Sequence, residues 1–158
     1  MLRNMVGLTN QSPAAYLGPA SMRLASARGI PMNRRALSGQ SILVVEDEPL
    51  VAMGVREVLE SAGAYVFVAT RLAHALQLAG HPDLSAALVD YRLVEGNSRA
   101  ICSLLEQRGI PFVFYSGYDD MRDLWPQALR VPKPAEGRRL IEALSEALGV
   151  ARQSAHAA

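Results

Sequence analysis

The sequence predicts an α/β fold, a doubly wound parallel sheet with helices on both faces. Two observations lead there. Short, mostly apolar runs (Ile42 to Val45, Ala86 to Val89, Phe112 to Tyr115, Leu129 to Pro132) have the character of strands buried on both faces. Between them lie segments with the apolar periodicity of helices, closed by glycine or proline. Each run also ends on polar chemistry: Glu46-Asp47-Glu48, Asp90, Ser116 and Lys133. Ligands of open α/β sheets bind outside the carboxyl ends of the strands, so these residues describe one site of carboxylates, a hydroxyl and an ammonium.

Taken in order, the first strand is expected over Ser41–Glu46. Pro49 then opens a helix with Leu50, Val51, Val55, Val58, Leu59 and Ala62 on one face, stopped by Gly63. The second strand is Tyr65–Ala69, followed by a helix over Leu72–Ala79 that Gly80 and Pro82 end. The third strand is Ala86–Asp90, and the third helix, Ser98–Arg108, buries Ile101, Leu104 and Leu105 before Gly109. The fourth strand is Phe112–Tyr115, the fifth Leu129–Val131, and the last helix, Ala135–Leu148, turns Leu140, Ile141, Leu144 and Leu148 inward. Between Ser116 and Lys133, Pro126 and the charged run of Asp119, Asp120, Arg122 and Asp123 leave room for about two helical turns at 3.6 residues each. The fourth helix is therefore expected to be short or irregular. Five βα units with right-handed crossovers complete the sheet.

A chain of 158 residues is most simply one domain with a modest core. No uninterrupted apolar stretch reaches the roughly 18 residues of a membrane span, so a soluble, cytoplasmic protein with no membrane partner is expected. Cys102 is the only cysteine, which excludes an internal disulfide and a cysteine-based zinc site; its apolar neighbours predict a core thiol. His74, His81 and His156 have no metal-ligand spacing. The near-neutral balance hides an asymmetry. Residues 1–38 carry Arg3, Arg23, Arg28, Arg34 and Arg35 and no acid, with Pro13, Pro19 and Pro31 and no sustained periodicity. They are expected to form a disordered basic extension. An organellar transit peptide has a similar composition, and translation from Met22 or Met32 is a third reading. The folded domain is expected over 39–149, with 150–158 as a C-terminal tail too short for a DNA-binding domain. No helix-turn-helix or basic recognition helix is present, so no nucleic-acid partner is expected.

Ile42-Leu43-Val44-Val45-Glu46-Asp47-Glu48-Pro49, Ala87-Leu88-Val89-Asp90-Tyr91-Arg92-Leu93, Val113-Phe114-Tyr115-Ser116-Gly117-Tyr118 and Val131-Pro132-Lys133-Pro134, in that order, resemble the receiver domain of two-component response regulators. The likeness spans residues 39–148. It implies the flavodoxin-like strand order 2-1-3-4-5. It also implies that Asp90 accepts a phosphoryl group from a histidine kinase, forming an aspartyl phosphate. Three converging carboxylates repel one another unless a cation joins them, and hard oxygen donors suit Mg²⁺. By the resemblance, Asp47, Asp90 and the Arg92 carbonyl bind Mg²⁺, and Glu46 acts mainly through water. Lys133 and Ser116 serve the phosphoryl oxygens, and the Ser116 hydroxyl moves toward the new phosphate. The resemblance makes Pro134 cis, aiming Lys133 into the site. No other cofactor is implied.

The departures narrow the reading. Val94 stands where the common receiver has proline, and the Glu95-Gly96-Asn97 loop after it is short. Arg130 stands where many receivers carry the Tyr or Phe that swings on activation, which puts that coupling in question. The segment Pro111 to Tyr118 resembles instead the receivers named for a Phe-Ala-Thr-Gly-hydrophobe-Tyr (FATGUY) motif, with Tyr115 and Ser116 in the Ala and Thr places and Tyr118 one residue early. That implies a stand-alone receiver served by kinases of the HWE or related type, with Ser116 and Tyr118 as switch candidates. The expected function is a single-domain, phosphorylatable switch, not an enzyme on other substrates. It would act as a shuttle or phosphate sink through a downstream protein of unknown identity. A phosphorylation-independent interaction module is the alternative. A Mg²⁺-dependent phosphohydrolase is disfavoured, because Arg92 occupies the place of its second Asp. Lys133 as a surface lysine and Ser116 as a turn residue are the plain alternatives for those two positions.

Overall fold

The structure is a computed structural model that describes residues 36–117 and 124–156, with 150–156 described by backbone alone. Its strands are β1 (Ser41–Val45), β2 (Tyr65–Ala69), β3 (Ala86–Val89), β4 (Arg92–Leu93), β5 (Gly96–Asn97), β6 (Phe112–Ser116) and β7 (Leu129–Pro132). Its helices are α1 (Pro49–Ser61), α2 (Leu72–Ala79), α3 (Arg99–Gln107) and α4 (Gly137–His156). Five strands form one parallel sheet in the order β2-β1-β3-β6-β7, the 2-1-3-4-5 order in chain sequence, as expected.

The central strands β1, β3 and β6 are apolar along most of their length because both faces are covered. Successive side chains point to opposite sides, so Ile42 and Val44 join Leu88, Val113, Tyr115 and Val131 under Val55 and Leu59 of α1 and Leu140, Ile141 and Leu144 of α4. Leu43 and Val45 join Ala87, Val89, Phe112 and Phe114 on the other face, under Ala75 and Ala79 of α2 and Ile101, Cys102 and Leu105 of α3. Cys102 is thus the core thiol the sequence suggested.

Several expectations need correction. Of the expected inner face of α1, Val55, Leu59 and Ala62 are buried and Val51 and Val58 pack beside them, but Leu50 is 81% exposed and Ala52 is buried, because at roughly 100° per residue Leu50 lies about a quarter-turn off the stripe of Val51, Val55 and Val58. In α3, Cys102 takes the buried place beside Ile101 and Leu105, and Leu104 is half-buried. Leu37, assigned to the extension, is fully buried among Ile42, Leu59 and Leu144, and its N–H donates to the Ala62 carbonyl at 3.0 Å. The folded part therefore begins by Leu37. At the other end the tail from Val150 continues α4 to His156, since Gly149 alone does not stop a helix flanked by good helix formers. Residues 92–97, where the sequence predicts a short Glu95-Gly96-Asn97 loop, form an antiparallel hairpin, β4–β5.

The expected fourth helix falls largely on residues outside those described. From Leu124 to Ala128 the chain forms a turn, with Ala128 N–H donating to the Trp125 carbonyl. Trp125 is buried against Phe112 and Phe114, ring centroids 6.1 and 6.0 Å away, and its Nε1–H donates to Glu106 Oε2 at 3.3 Å. Arg130, on β7, pins this turn. Its Nη1 and Nη2 donate to the carbonyls of Ala128 and Trp125 at 3.1 and 3.0 Å, and its Cζ lies 5.8 Å from the Phe114 ring centroid.

Candidate functional site

The carboxyl ends of β1, β3, β6 and β7 bring together the residues that the sequence singled out. The ladder fixes the depths: Asp90 N–H donates to the Val45 carbonyl at 2.8 Å, and Lys133 N–H donates to the Ser116 carbonyl at 3.3 Å. Asp47, Asp90, Arg92, Ser116 and Lys133 line one cleft of about 380 Å³, together with Val94 and Gly117. A larger groove, about 730 Å³ between Pro111, Trp125 and α4, contains none of these polar residues. Tyr118 lies outside the described residues.

Glu46, Asp47 and Asp90 each present a carboxylate oxygen, all within 4.8 Å of one another. Such a set of hard donors fits a small divalent cation. Lys133 supplies positive charge from within the chain. Its Nζ donates to Glu46 Oε2 at 2.5 Å and to Asp90 Oδ2 at 2.6 Å, and the Lys133–Pro134 peptide is cis, as the resemblance implied. The ammonium also lies 5.2 Å from the Tyr115 ring centroid. Asp90 Oδ1 accepts the Arg92 N–H at 3.2 Å, and Glu46 Oε1 accepts the Glu48 N–H at 3.2 Å.

Burial sets the electrostatics. Loss of solvent pushes the Glu46 carboxyl above its ordinary range, only partly offset by Lys133 and by the Glu48 N–H. For Lys133 burial alone would lower the pKa, but hydrogen bonds and attraction from Asp90 and Glu46 outweigh it and raise the value. The lysine therefore stays charged, and the cluster of three carboxylates and one ammonium is rich in negative charge.

Three contributors escaped the reading of the sequence. Ser98 is wholly buried; its Oγ–H donates to the Asp90 carbonyl at 2.5 Å and its N–H to the Tyr91 carbonyl at 2.9 Å, closing the loop that follows Asp90. The Val94 N–H donates to Asp47 Oδ2 at 2.5 Å, and the Glu95 carboxylate accepts the Leu72 N–H at 2.9 Å. A backbone donor leaves no mark in a sequence. The only clue was the absence of proline at position 94, since proline has no N–H to give.

The model of the response regulator receiver domain matches residues 42–145, most of the chain and all four strand ends of the cleft. No curated protein matches. Among solved structures, a response regulator receiver protein from Sinorhizobium medicae WSM419 is similar at 22% identity and a TM-score of 0.64, over 73% of this chain and 98% of that one. A CheY-like receiver domain from Methanospirillum hungatei JF-1 gives 22% and 0.67, over 74% and 99%. The receiver domain of a sensor histidine kinase from Pseudomonas aeruginosa PAO1, solved with magnesium in its active-site cleft, gives 24% and 0.62, over 71% and 99%. These likenesses establish the same fold. Among the described residues no helix is long and apolar enough to cross a membrane. Receiver domains are signalling modules that meet sensor histidine kinases and downstream proteins, and phosphorylation and magnesium binding are typical of them. By the extent of the family match, this chain belongs to the response regulator receiver domain family of two-component systems.

Proposed function

We propose that Asp90 is the phosphoacceptor of a single-domain response regulator, loaded by a histidine kinase in a Mg²⁺-dependent reaction. The observation that carries this is the Asp90 carboxylate at the end of β3, with Lys133 Nζ 2.6 Å away and two further carboxylates beside it in an open cleft. Asp90 attacks the phosphorus of a phosphohistidine, so that its O–P bond forms as the donor's N–P bond breaks. Asp47, Asp90 and the Arg92 carbonyl are the residues to hold Mg²⁺, with Glu46 acting through water. When bound, the cation supplies positive charge against the phosphoryl oxygens. Lys133 supplies the second positive charge, and the Ser116 hydroxyl donates to a third oxygen.

The finer reading follows the sequence of the segment Pro111 to Tyr118: a FATGUY-type, stand-alone receiver, paired with a kinase of the HWE or related type, with Ser116 and Tyr118 as switch residues. It acts as a shuttle or phosphate sink through protein contacts, in the cytoplasm. Apolar side chains exposed near the cleft support a protein donor: Val94 on its wall is 93% exposed, and Leu50, the second residue of α1, is exposed three residues after Asp47.

Phosphoryl incorporation from acetyl phosphate, with and without Mg²⁺ and beside Asp90→Asn, tests the reading. Mg²⁺-dependent labelling that disappears in the variant is the expected result. An Asp90→Asn protein labelled as well as its parent would sink the assignment. If neither protein is labelled by acetyl phosphate or by any of a panel of kinases, the phosphorylation-independent module is favoured.

A further inference from the structure

The Asp47 carboxylate is gripped from outside the sheet. Val94, at the tip of the β4–β5 hairpin, gives its N–H to Asp47 Oδ2 at 2.5 Å. Glu95, the other tip residue, is bound to a different element: Oε2 accepts the Leu72 N–H at 2.9 Å, and Arg71 Nε lies 3.4 Å from Oε1. The base of the hairpin is closed by Ser98 on the carbonyls of Asp90 and Tyr91. A two-residue tip thus links the acidic cluster to the first turn of α2.

We propose that Glu95 is a positioning residue for Asp47. By anchoring the hairpin on α2 it fixes the Val94 N–H against one Asp47 oxygen and so holds that carboxylate in one orientation for a divalent cation. The inference rests on the reading of Glu46, Asp47 and Asp90 as a cation site. Free carboxylates lose rotational freedom when they take up a metal, and a partner that orients one beforehand removes part of that cost. Outer partners of metal ligands typically account for about 10–100-fold in affinity. Glu95 acts one step further out, through a backbone N–H, so its effect belongs at or below the low end of that range. A glutamate that merely caps α2 would affect the helix and leave the cation untouched.

The test is Mg²⁺ titration calorimetry on the full chain, comparing the parent with Glu95→Ala, Glu95→Gln and Asp47→Ala, together with amide exchange at Val94 without the metal. The parent is expected to bind Mg²⁺ and Asp47→Ala to lose it. Glu95→Ala should bind about threefold to tenfold more weakly, with faster exchange at Val94. Glu95→Gln keeps an oxygen for the Leu72 N–H and should return close to the parent. Equal Mg²⁺ affinity in the parent and Glu95→Ala overturns the proposal whatever the exchange shows, and leaves the cation reading standing. No Mg²⁺ binding by either the parent or Asp47→Ala overturns the cation reading, and the proposal falls with it.

Discussion

Glu46 and Lys133 are 87 residues apart in the chain and 2.5 Å apart in the site, where the carboxylate side chain is only 2% exposed. Neither charge is buried alone. Taking an ion out of water costs several kcal/mol, and the pairing of Lys133 with both Glu46 and Asp90 offsets that cost.

Lys133→Met leaves two buried carboxylates facing each other. The variant is expected to be about 3 kcal/mol less stable than its parent without divalent cations, the lower end of what breaking a buried pair costs. Denaturant unfolding measures it. The pH dependence follows from the raised pKa of Lys133, whose ordinary value is 10.5. A folded-state value above the unfolded one means that the lysine's contribution is complete below pH 10.5 and is lost as pH rises through the higher folded value. The stability gap between parent and variant should therefore narrow in the alkaline range. A gap that stays constant there would mean that the ion pair is not its source.

Leu37→Ala is expected to destabilise the domain by about 2–4 kcal/mol, because the side chain is fully buried in the cluster that holds Ile42, Leu59 and Leu144. A deletion that removes Leu37 should carry at least the same cost. Thermal unfolding of both would show it, and an unchanged midpoint in both would place the start of the core after Leu37.

Gly137 opens α4 against α1. A Cβ there would lie 2.8 Å from both γ-methyls of Val58, a branched side chain with little freedom to yield. Gly137→Ala should cost about 1–3 kcal/mol through overpacking. Recovery in the double variant with Val58→Ala would identify the clash as the cause.

Burial pushes the Cys102 thiol up to about 12. At neutral pH it is a protonated core group, and thiolate is the reactive form. A thiol reagent is expected to leave the native protein unmodified and to titrate one thiol per chain after denaturation. Rapid labelling of the native protein would show that α3 opens from the sheet.

Much of this molecule was legible in the sequence where geometry is local. Strands buried on both faces read as apolar runs, so the five strands of the parallel sheet were placed within a residue or two. The polar residue after each run was then bound to gather at one edge, as Asp47, Asp90, Ser116 and Lys133 do around the cleft, with Glu46 beneath them on Lys133. What failed was what depends on distant partners. The burial of Leu37 is set by residues far along the chain, among them Leu59 and Leu144 of the cluster it joins. The grip of Val94 on Asp47 and of Ser98 on the Asp90 carbonyl depends on how the loop folds back, which hydropathy does not encode.

Trp125 is the only tryptophan in the chain, and it sits in the turn that Arg130 pins, ahead of β7 and beside Phe112 and Phe114 of β6, the strand that ends at Ser116. An indole buried against two phenylalanines and tied to Glu106 emits in a setting that any loosening of the turn must alter. The molecule therefore carries its own optical reporter. A change at the site that travels along β6 and β7 should appear as a change in intrinsic emission, with no dye and no added label.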